Sequence, residues 1–208
     1  MRLFAGLLLP VHVLDGPGQL ADAVKELRSL EGAGRLRWTD RANWHVTLAF
    51  YGEVPDSLLP GLQERLARAA RRAHPMRLRV AGGGRFADRA LWAGIKGATD
   101  GGTDGSTDGA DAEAVRRLAA TAAAAGRRVG LETGEHRRFH AHLTVARTRT
   151  SSGPAVDLRP YAAALEGFVG EPWTAGELAL VRSNLPQGGG SPGEQPRYEQ
   201  VAAWPLDG

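Results

Sequence analysis

The chain has 208 residues, of which 42% are hydrophobic, enough to bury one sizeable core or two tightly joined lobes. Its formal net charge is only +3. There is no cysteine, which excludes disulfides and thiolate metal sites. No apolar run reaches the roughly 20 residues of a membrane-spanning helix, so we expect a protein without a membrane anchor and with a cytoplasmic location.

Apolar periodicity predicts a chain that mixes strands and helices. The first element is a buried strand at 2–9, and a helix follows at 18–32, where Leu20, Val24 and Leu27 recur at helical spacing. Further along the chain, the pattern predicts strands at 43–52, 76–86, 90–97, 142–148, 177–184 and 197–206, and helices at 55–74, 112–126 and 158–165.

Residues 97–111 interrupt this pattern with three Thr-Asp-Gly triplets. The segment has no large apolar side chain, so it cannot bury enough surface to offset the entropy of the chain. A calcium loop is the alternative, but the EF-hand spacing and its closing glutamate are missing. The sequence therefore predicts one domain over 1–208 with a flexible acidic insert at 97–111.

The pattern His-x-Thr-apolar occurs twice, at 45–48 and at 142–145. Side chains alternate between the faces of a strand, so the histidine and threonine of each copy share one face and the apolar residues share the other. Such a polar face suits the wall of a cleft. The order of elements also roughly repeats, which indicates an internal duplication in which each half presents one copy.

Other interpretations of the histidines stay open at this point. Both could be hydrogen-bonded structural residues at strand ends. His140 and His142 would share a strand face and could bind zinc, although no third ligand shows a suitable spacing. The other histidines, His12, His74 and His136, are expected at the surface. A serine nucleophile is not supported, since no serine lies in a nucleophile-elbow context.

Nearly all the basic residues are arginines, since Lys25 and Lys96 are the only lysines. Coding bias explains this in a chain that is also heavy in alanine and glycine. The functional alternative is an arginine-lined surface for phosphates, because a guanidinium can bind two phosphate oxygens at once.

With these motifs in place, the chain resembles the 2H phosphoesterase superfamily, in particular the RNA 2′,3′-cyclic phosphodiesterases also described as 2′-5′ RNA ligases. The resemblance runs nearly end to end, through "MRLFAGLLLP", "NWHVTLAFYGEV", "ALWAGI", "FHAHLTVAR", "LVRSNL" and "RYEQVAAWPL". The chain departs from the family at Ala141, where a proline is common, at Tyr51, where a leucine is common, and in the extra loop.

The resemblance implies an α+β fold of two pseudo-symmetric lobes. Each lobe has a small antiparallel sheet with helices outside, and the active-site groove lies between the lobes. The implied activity is hydrolysis of a terminal 2′,3′-cyclic phosphate to a 2′-phosphomonoester, with His45 as proton donor and His142 as proton acceptor. In-line displacement needs an acid and a base on opposite sides of phosphorus, and imidazole can serve in either role.

By the same resemblance, Thr47 and Thr144 stabilise the charge on the phosphoryl oxygens, Arg147 binds the phosphate and Phe50 stacks near the terminal base. No metal and no other cofactor is implied. Strict alternation, however, puts Phe50 on the face opposite His45, and Arg147 on the face opposite His142, so each could instead be a packing residue.

The expected partner is RNA that ends in a 2′,3′-cyclic phosphate, such as tRNA halves, bound by a monomer. Reversible 2′-5′ ligation is a second activity, because it is the microscopic reverse of cyclic phosphodiester opening. Two alternatives remain: a phosphodiesterase for a small cyclic nucleotide, and a non-catalytic RNA-binding module that uses the arginine-rich surface.

Overall fold

The computed structural model describes residues 1–98, 109–133, 139–149, 156–185 and 195–208. The strands in these ranges are β1 (Arg2–Leu8), β2 (Leu36–Trp38), β3 (His45–Glu53), β4 (Met76–Phe86), β5 (Ala90–Gly97), β6 (His142–Thr148), β7 (Val169–Ala175), β8 (Glu177–Asn184) and β9 (Arg197–Pro205). The helices are α1 (Val11–Leu14), α2 (Leu20–Leu27), α3 (Leu59–Ala70), α4 (Ala110–Arg127) and α5 (Arg159–Glu166), with single 3₁₀ turns at Ala33–Arg35, Arg41–Asn43 and Asp56–Leu58.

Every strand and helix predicted from the sequence is present, and the strands at 76–86, 90–97, 142–148 and 177–184 have the predicted ends. The pattern missed β2, β7 and α1. Helix α1 and strand β2 are too short to show a period. Strand β7 contains Gly170 and Pro172, which argue against a strand, but β7 lies at a sheet edge where proline is tolerated.

The strands form two sheets in which every neighbouring pair is antiparallel. The first sheet has the order β3-β1-β8-β9, and the second has the order β2-β6-β5-β4-β7. The predicted α+β fold with one antiparallel sheet in each lobe is therefore confirmed.

The element order had indicated that the lobes are successive halves of the chain, but this is not the case. The first sheet joins β1 and β3 to the last two strands, β8 and β9. The repeated unit is instead strand-helix-strand, β1-α2-β3 in the first lobe and β5-α4-β6 in the second, and the His-x-Thr copy opens the last strand of each unit.

Helices pack against both sheets. Helix α3 packs against β8 and β9, α5 packs against β4, and α4 contacts strands of both sheets. One continuous cluster of buried side chains includes Leu3 of the first sheet and Leu143 of the second. This shared core sets the position of one sheet against the other, which is what a site built from both sheets requires.

The prediction of a single domain with a flexible insert stays a prediction, because residues 99–108 lie outside the described ranges; β5 ends at Gly97 and α4 begins at Ala110 on either side of them. Across the described ranges, no helix combines the length and the apolar character that a membrane span needs.

Tyr51 ties β3 to α4. Its hydroxyl donates a hydrogen bond of 3.0 Å to the carbonyl oxygen of Ala122. Its ring lies against Gly126, where a Cβ atom would come within 2.8 Å of the ring carbons. The small residue in α4 therefore makes room for the large residue in β3.

We expect Gly126→Ala to destabilise the protein by about 1–3 kcal/mol, because the added methyl group overpacks the contact with Tyr51. Gly61→Ala in α3 is the matched control, since its Cβ would sit at an ordinary 3.4 Å from Val129. That variant should be more stable by about 0.5–1 kcal/mol through helix propensity. Urea unfolding of both variants measures the difference, and equal effects would show that the contact is not tight.

Candidate active site

A cavity of about 520 Å³ opens between the two sheets. All six residues that the sequence singled out line it, three from β3 and three from β6: His45, Thr47, Phe50, His142, Thr144 and Arg147. The remaining lining residues come from β1, β2, β8, β9 and neighbouring loops: Arg2, Phe4, Arg37, Thr39, Asn43, Ser183, Leu185, Gln195, Pro196 and Tyr198. The structure thus brings both His-x-Thr copies to one cleft, one from each sheet.

The His45 imidazole is fixed on both of its nitrogen atoms. Nδ1 donates to the carbonyl oxygen of Asn43 at 2.8 Å, and Nε2 lies 3.0 Å from the Thr47 hydroxyl. The ring stacks on Phe4, with centroids 4.5 Å apart, and Tyr198 meets it edge-on at 4.9 Å. Because a carbonyl only accepts, Nδ1 carries the proton, and Nε2 is the atom available for chemistry.

The His142 imidazole repeats this arrangement in the second sheet. Its Nδ1 donates to the carbonyl oxygen of His140 at 2.7 Å, and Phe86 meets the ring edge-on at 4.9 Å. In both copies the acceptor is the carbonyl two residues before the histidine. The same local backbone therefore selects the same tautomer twice and leaves each Nε2 unprotonated.

Both imidazoles have a lowered pKa. Burial is the largest cause for each, and it outweighs the backbone hydrogen bond that raises the pKa. Positive charge nearby adds to the effect: His142 and Arg147 lower the pKa of His45, and His140 and Arg147 lower that of His142. Bound negative charge would act in the opposite direction on both histidines.

A β-bulge in each strand explains how Phe50 and Arg147 reach the cleft. In β3 the pairing with β1 passes from Thr47 to Ala49 and skips Leu48, and in β6 the pairing with β5 passes from Thr144 to Ala146 and skips Val145. One extra residue reverses the alternation beyond it. Strict alternation, on which the packing alternative depended, therefore does not hold here.

Phe50 and Arg147 are equivalent positions, each five residues after its histidine and just beyond the bulge. Phe50 is 40% exposed, and the guanidinium of Arg2 lies over its ring at 4.8 Å from the centroid. Arg147 pairs directly with Arg37 across β2 and β6, so both guanidinium groups point to the same face. Partial burial first, and then the charge of Arg37, lower the pKa of Arg147.

Three further residues of the cleft were not predicted from the sequence: Arg2, Arg37 and Tyr198. Strand pairing brings them together: Tyr198 lies close enough to Arg2, Arg37 and Arg147 for all three charges to oppose the rise in its pKa, which burial causes. None of the described residues that line the cleft is acidic. Two arginines placed directly opposite each other repel unless an anion lies between them, so this end of the cleft is suited to phosphate.

The rim of the cleft next to His45 is held by two polar side chains. Gln195 accepts a hydrogen bond from the backbone of Asp40 and donates one to the carbonyl of Trp38, at 3.0 and 2.7 Å. Asn43 donates to the carbonyl of Pro196 at 3.1 Å. The segment that leads into β9 is thereby fixed against the turn that precedes β3.

The other histidines lie outside the cleft. His12 and His74 are exposed, as predicted, and His136 falls outside the described residues. His140 is not among the residues that line this cleft, and its ring packs edge-on against Trp92 at 4.5 Å. Among the residues with described positions, no three histidine or carboxylate side chains are arranged to hold a metal ion. Arg65, Arg68 and Arg72 line a separate groove between α3 and α4.

Comparison with known proteins agrees with this geometry. The family model described as LigT-like phosphoesterase matches residues 13–93, which include the first His-x-Thr copy. The RNA 2′,3′-cyclic phosphodiesterase of Geobacillus stearothermophilus is 27% identical over 175 residues, which cover 82% of this chain and 48% of that protein. This chain thus spans about half the length of that relative.

A second relative, the RNA 2′,3′-cyclic phosphodiesterase of Archaeoglobus fulgidus, is 26% identical over 163 residues, which are 76% of this chain and 78% of that protein. Among solved structures, TT0787 of Thermus thermophilus superposes with a TM-score of 0.69 at 25% identity, covering 100% of this chain and 99% of that one. Escherichia coli LigT complexed with 3′-AMP has the same fold, with a TM-score of 0.65 at 20% identity and coverage of 99% and 97%.

Fold and site together define a two-lobed protein in which two sheets present one His-x-Thr copy each to a common cleft. In sequence and in fold, the chain is similar to the LigT-like phosphoesterases.

We expect ¹⁵N NMR to find the Nδ1-protonated tautomer for both His45 and His142 at neutral pH, and to find both pKa values below 6.5. Because the unfolded chain then binds more protons than the folded one, stability should fall as the pH drops from 6.5 through the folded-state pKa values.

Phe4→Ala serves as the control for the cause of these shifts. Removing the stacked ring admits water to His45 and should raise the pKa of His45, while the pKa of His142 stays unchanged. An Nε2-protonated tautomer, or a pKa above 6.5 in the wild type, would contradict the assignment.

Proposed function

We propose that this protein is an RNA 2′,3′-cyclic phosphodiesterase that opens a terminal cyclic phosphate by acid/base catalysis with His45 and His142. The observation that carries the proposal is the matched pair of imidazoles. Each comes from its own sheet, each commits Nδ1 to a backbone carbonyl, and each leaves Nε2 for the shared cleft. The names of the two curated relatives support the substrate class.

In the proposed reaction, Nε2 of His142 takes a proton from a water molecule as the water oxygen attacks phosphorus. The bond from phosphorus to the 3′ oxygen breaks, and Nε2–H of His45 gives its proton to that oxygen. The product is a 2′-phosphomonoester. Afterwards His142 loses its proton to solvent and His45 gains one, which restores the starting state.

The lowered pKa values of the two histidines agree with their proposed roles as acid and base. A low pKa makes protonated His45 a strong acid toward the departing oxygen. The bound phosphodiester is an anion, so its charge raises the pKa of both histidines and favours the state in which one of the two is protonated. The reaction needs one of the two histidines to be protonated when it begins. The negative charge of the substrate stabilises that proton.

The other cleft residues stabilise and position the substrate. Thr47, Thr144 and Arg147 donate hydrogen bonds to the non-bridging oxygens as their charge grows in the transition state. Phe50 offers one ring face to the terminal base while Arg2 lies over the ring. Base stacking of this kind contributes about 1–3 kcal/mol. No metal takes part in the proposed mechanism, in which the two histidines make both proton transfers.

Finer features belong to the same proposal. The protein acts as a cytoplasmic monomer of one domain, with tRNA halves among its substrates, and it joins RNA ends by a 2′-5′ bond when the reaction runs in reverse. A small cyclic nucleotide is the second candidate substrate, because a cavity of about 520 Å³ is the size of a site for one small ligand.

We expect His45→Ala and His142→Ala each to lower kcat on an RNA oligonucleotide that ends in a 2′,3′-cyclic phosphate by about 10²–10⁴, because each removes one proton transfer. His74→Ala, at an exposed position, is the matched control and should retain full activity. The wild type should keep its rate in the presence of a chelator, and ³¹P NMR should identify a 2′-phosphate product.

Near wild-type turnover in either histidine variant would overturn the two-histidine mechanism. Loss of turnover in the chelator would show that a metal is required. A non-catalytic RNA-binding protein predicts a different result, namely no product from the wild type and tight, salt-sensitive binding that persists when both histidines are replaced.

A further inference from the structure

Aromatic rings continue from His142 across the second sheet, outside the residues assigned to the reaction. Phe86 lies 4.9 Å from His142 and 5.6 Å from Trp92 between ring centroids, and Trp92 lies 4.5 Å from His140. We call Phe86, Trp92 and His140 the aromatic strip. Phe86 is 43% exposed, so the strip begins with a large apolar ring open to solvent.

Strand register places the strip on the same face as the catalytic side chains. Trp92 of β5 pairs directly with Thr144 of β6 and with Gly84 of β4, and directly opposed residues project to one face. The indole lies across Gly84, where a Cβ atom would come within 2.3 Å of the ring. The glycine therefore lets the large ring lie over β4 and extend the polar face of the sheet.

A second cavity, of about 560 Å³, begins where the strip ends. Trp92 and His140 form one wall, and it shares no lining residue with the first cavity. Its charged lining residues are Lys96, Arg116 and Glu166. Burial, followed by the charge of Arg116, lowers the pKa of His140, so His140 presents a neutral ring to this cavity.

This combination is what single-stranded nucleic acid requires. Aromatic side chains stack on bases of any sequence, and nearby cations attract the backbone phosphates. Phe86 and Trp92 supply the ring faces, and Lys96 supplies an ammonium group beside them. When the end of an RNA lies between the two catalytic histidines, the nucleotides before that end must lie elsewhere on the protein. The strip is contiguous with His142 and can bind them.

We propose that the second cavity is a nucleotide subsite and that the aromatic strip guides the RNA chain into it from the catalytic cleft. This inference rests on the proposed function and adds that the substrate is an RNA of more than one nucleotide. The terminal nucleotide occupies the first cavity, the nucleotides before it cross Phe86 and Trp92, and the enzyme prefers the end of an oligonucleotide to a mononucleotide.

The test compares kcat/KM for a mononucleoside 2′,3′-cyclic phosphate with kcat/KM for a pentanucleotide that ends in the same group. The wild type should prefer the pentanucleotide by about fivefold or more, the low end of the contribution of one stacked base. Trp92→Ala and Lys96→Glu should each lower kcat/KM for the pentanucleotide by about tenfold and leave that for the mononucleotide unchanged.

Lys25→Glu is the matched control. It makes the same charge change at the only other lysine, which lies exposed on α2, and it should change neither rate constant. Lys96→Glu removes no buried packing group, so it keeps the test valid if Trp92→Ala fails to fold. Equal rates of the wild type on both substrates would overturn the subsite. Equal losses on both substrates would show that the strip only supports His142.

Failure of the proposed function gives a different result, because neither substrate would then be consumed. In that case, fluorescence titration with labelled 2′-phosphate products of one and five nucleotides decides the subsite alone. Tighter binding of the longer product, lost in Lys96→Glu and kept in Lys25→Glu, supports the second subsite. Equal affinities overturn it.

Discussion

The site depends on one hydrogen bond that the fold makes twice. In each lobe, the imidazole at the start of a strand donates Nδ1–H to the carbonyl oxygen two residues earlier, at 2.8 Å for His45 and 2.7 Å for His142. That bond fixes the proton of the neutral ring on Nδ1 and leaves Nε2 unprotonated, so that Nε2 is the atom that exchanges a proton in the proposed reaction. Because the carbonyl belongs to the backbone, the orientation of each ring is part of the fold. The shared core then holds the two sheets, and with them the two rings, at opposite walls of one cleft.

A second repeated feature, the β-bulge, sets what surrounds the histidines. The bulges at Leu48 and Val145 occupy equivalent places in β3 and β6 and bring Phe50 and Arg147 to the cleft. One lobe thereby contributes an aromatic ring and the other a guanidinium at corresponding positions. In the proposed mechanism, the two lobes share the backbone that orients the histidines but differ in what they recognise, so a near-symmetric pair of histidines serves an asymmetric substrate site.

Much of this was readable from the sequence, because the His-x-Thr strands alternate cleanly as far as the threonine. The bulges were not predicted, although both copies carry an apolar residue followed by alanine, Leu48-Ala49 and Val145-Ala146, where alternation would place a polar side chain. The contributions of Arg2 and Arg37 could not be predicted, since they reach the cleft only through pairing between distant strands. The same holds for the lobes, whose first sheet is completed by the last two strands of the chain.

The most direct measurement is a crystal structure of the protein with a nucleoside vanadate, which mimics phosphorus under in-line attack. We predict that Nε2 of His45 and Nε2 of His142 each lie about 2.6–3.2 Å from a different vanadate oxygen, on opposite sides of the vanadium atom, with Nδ1 still bound to the backbone. A vanadate group outside the cleft, or one contacted by a single histidine, would contradict the central claim.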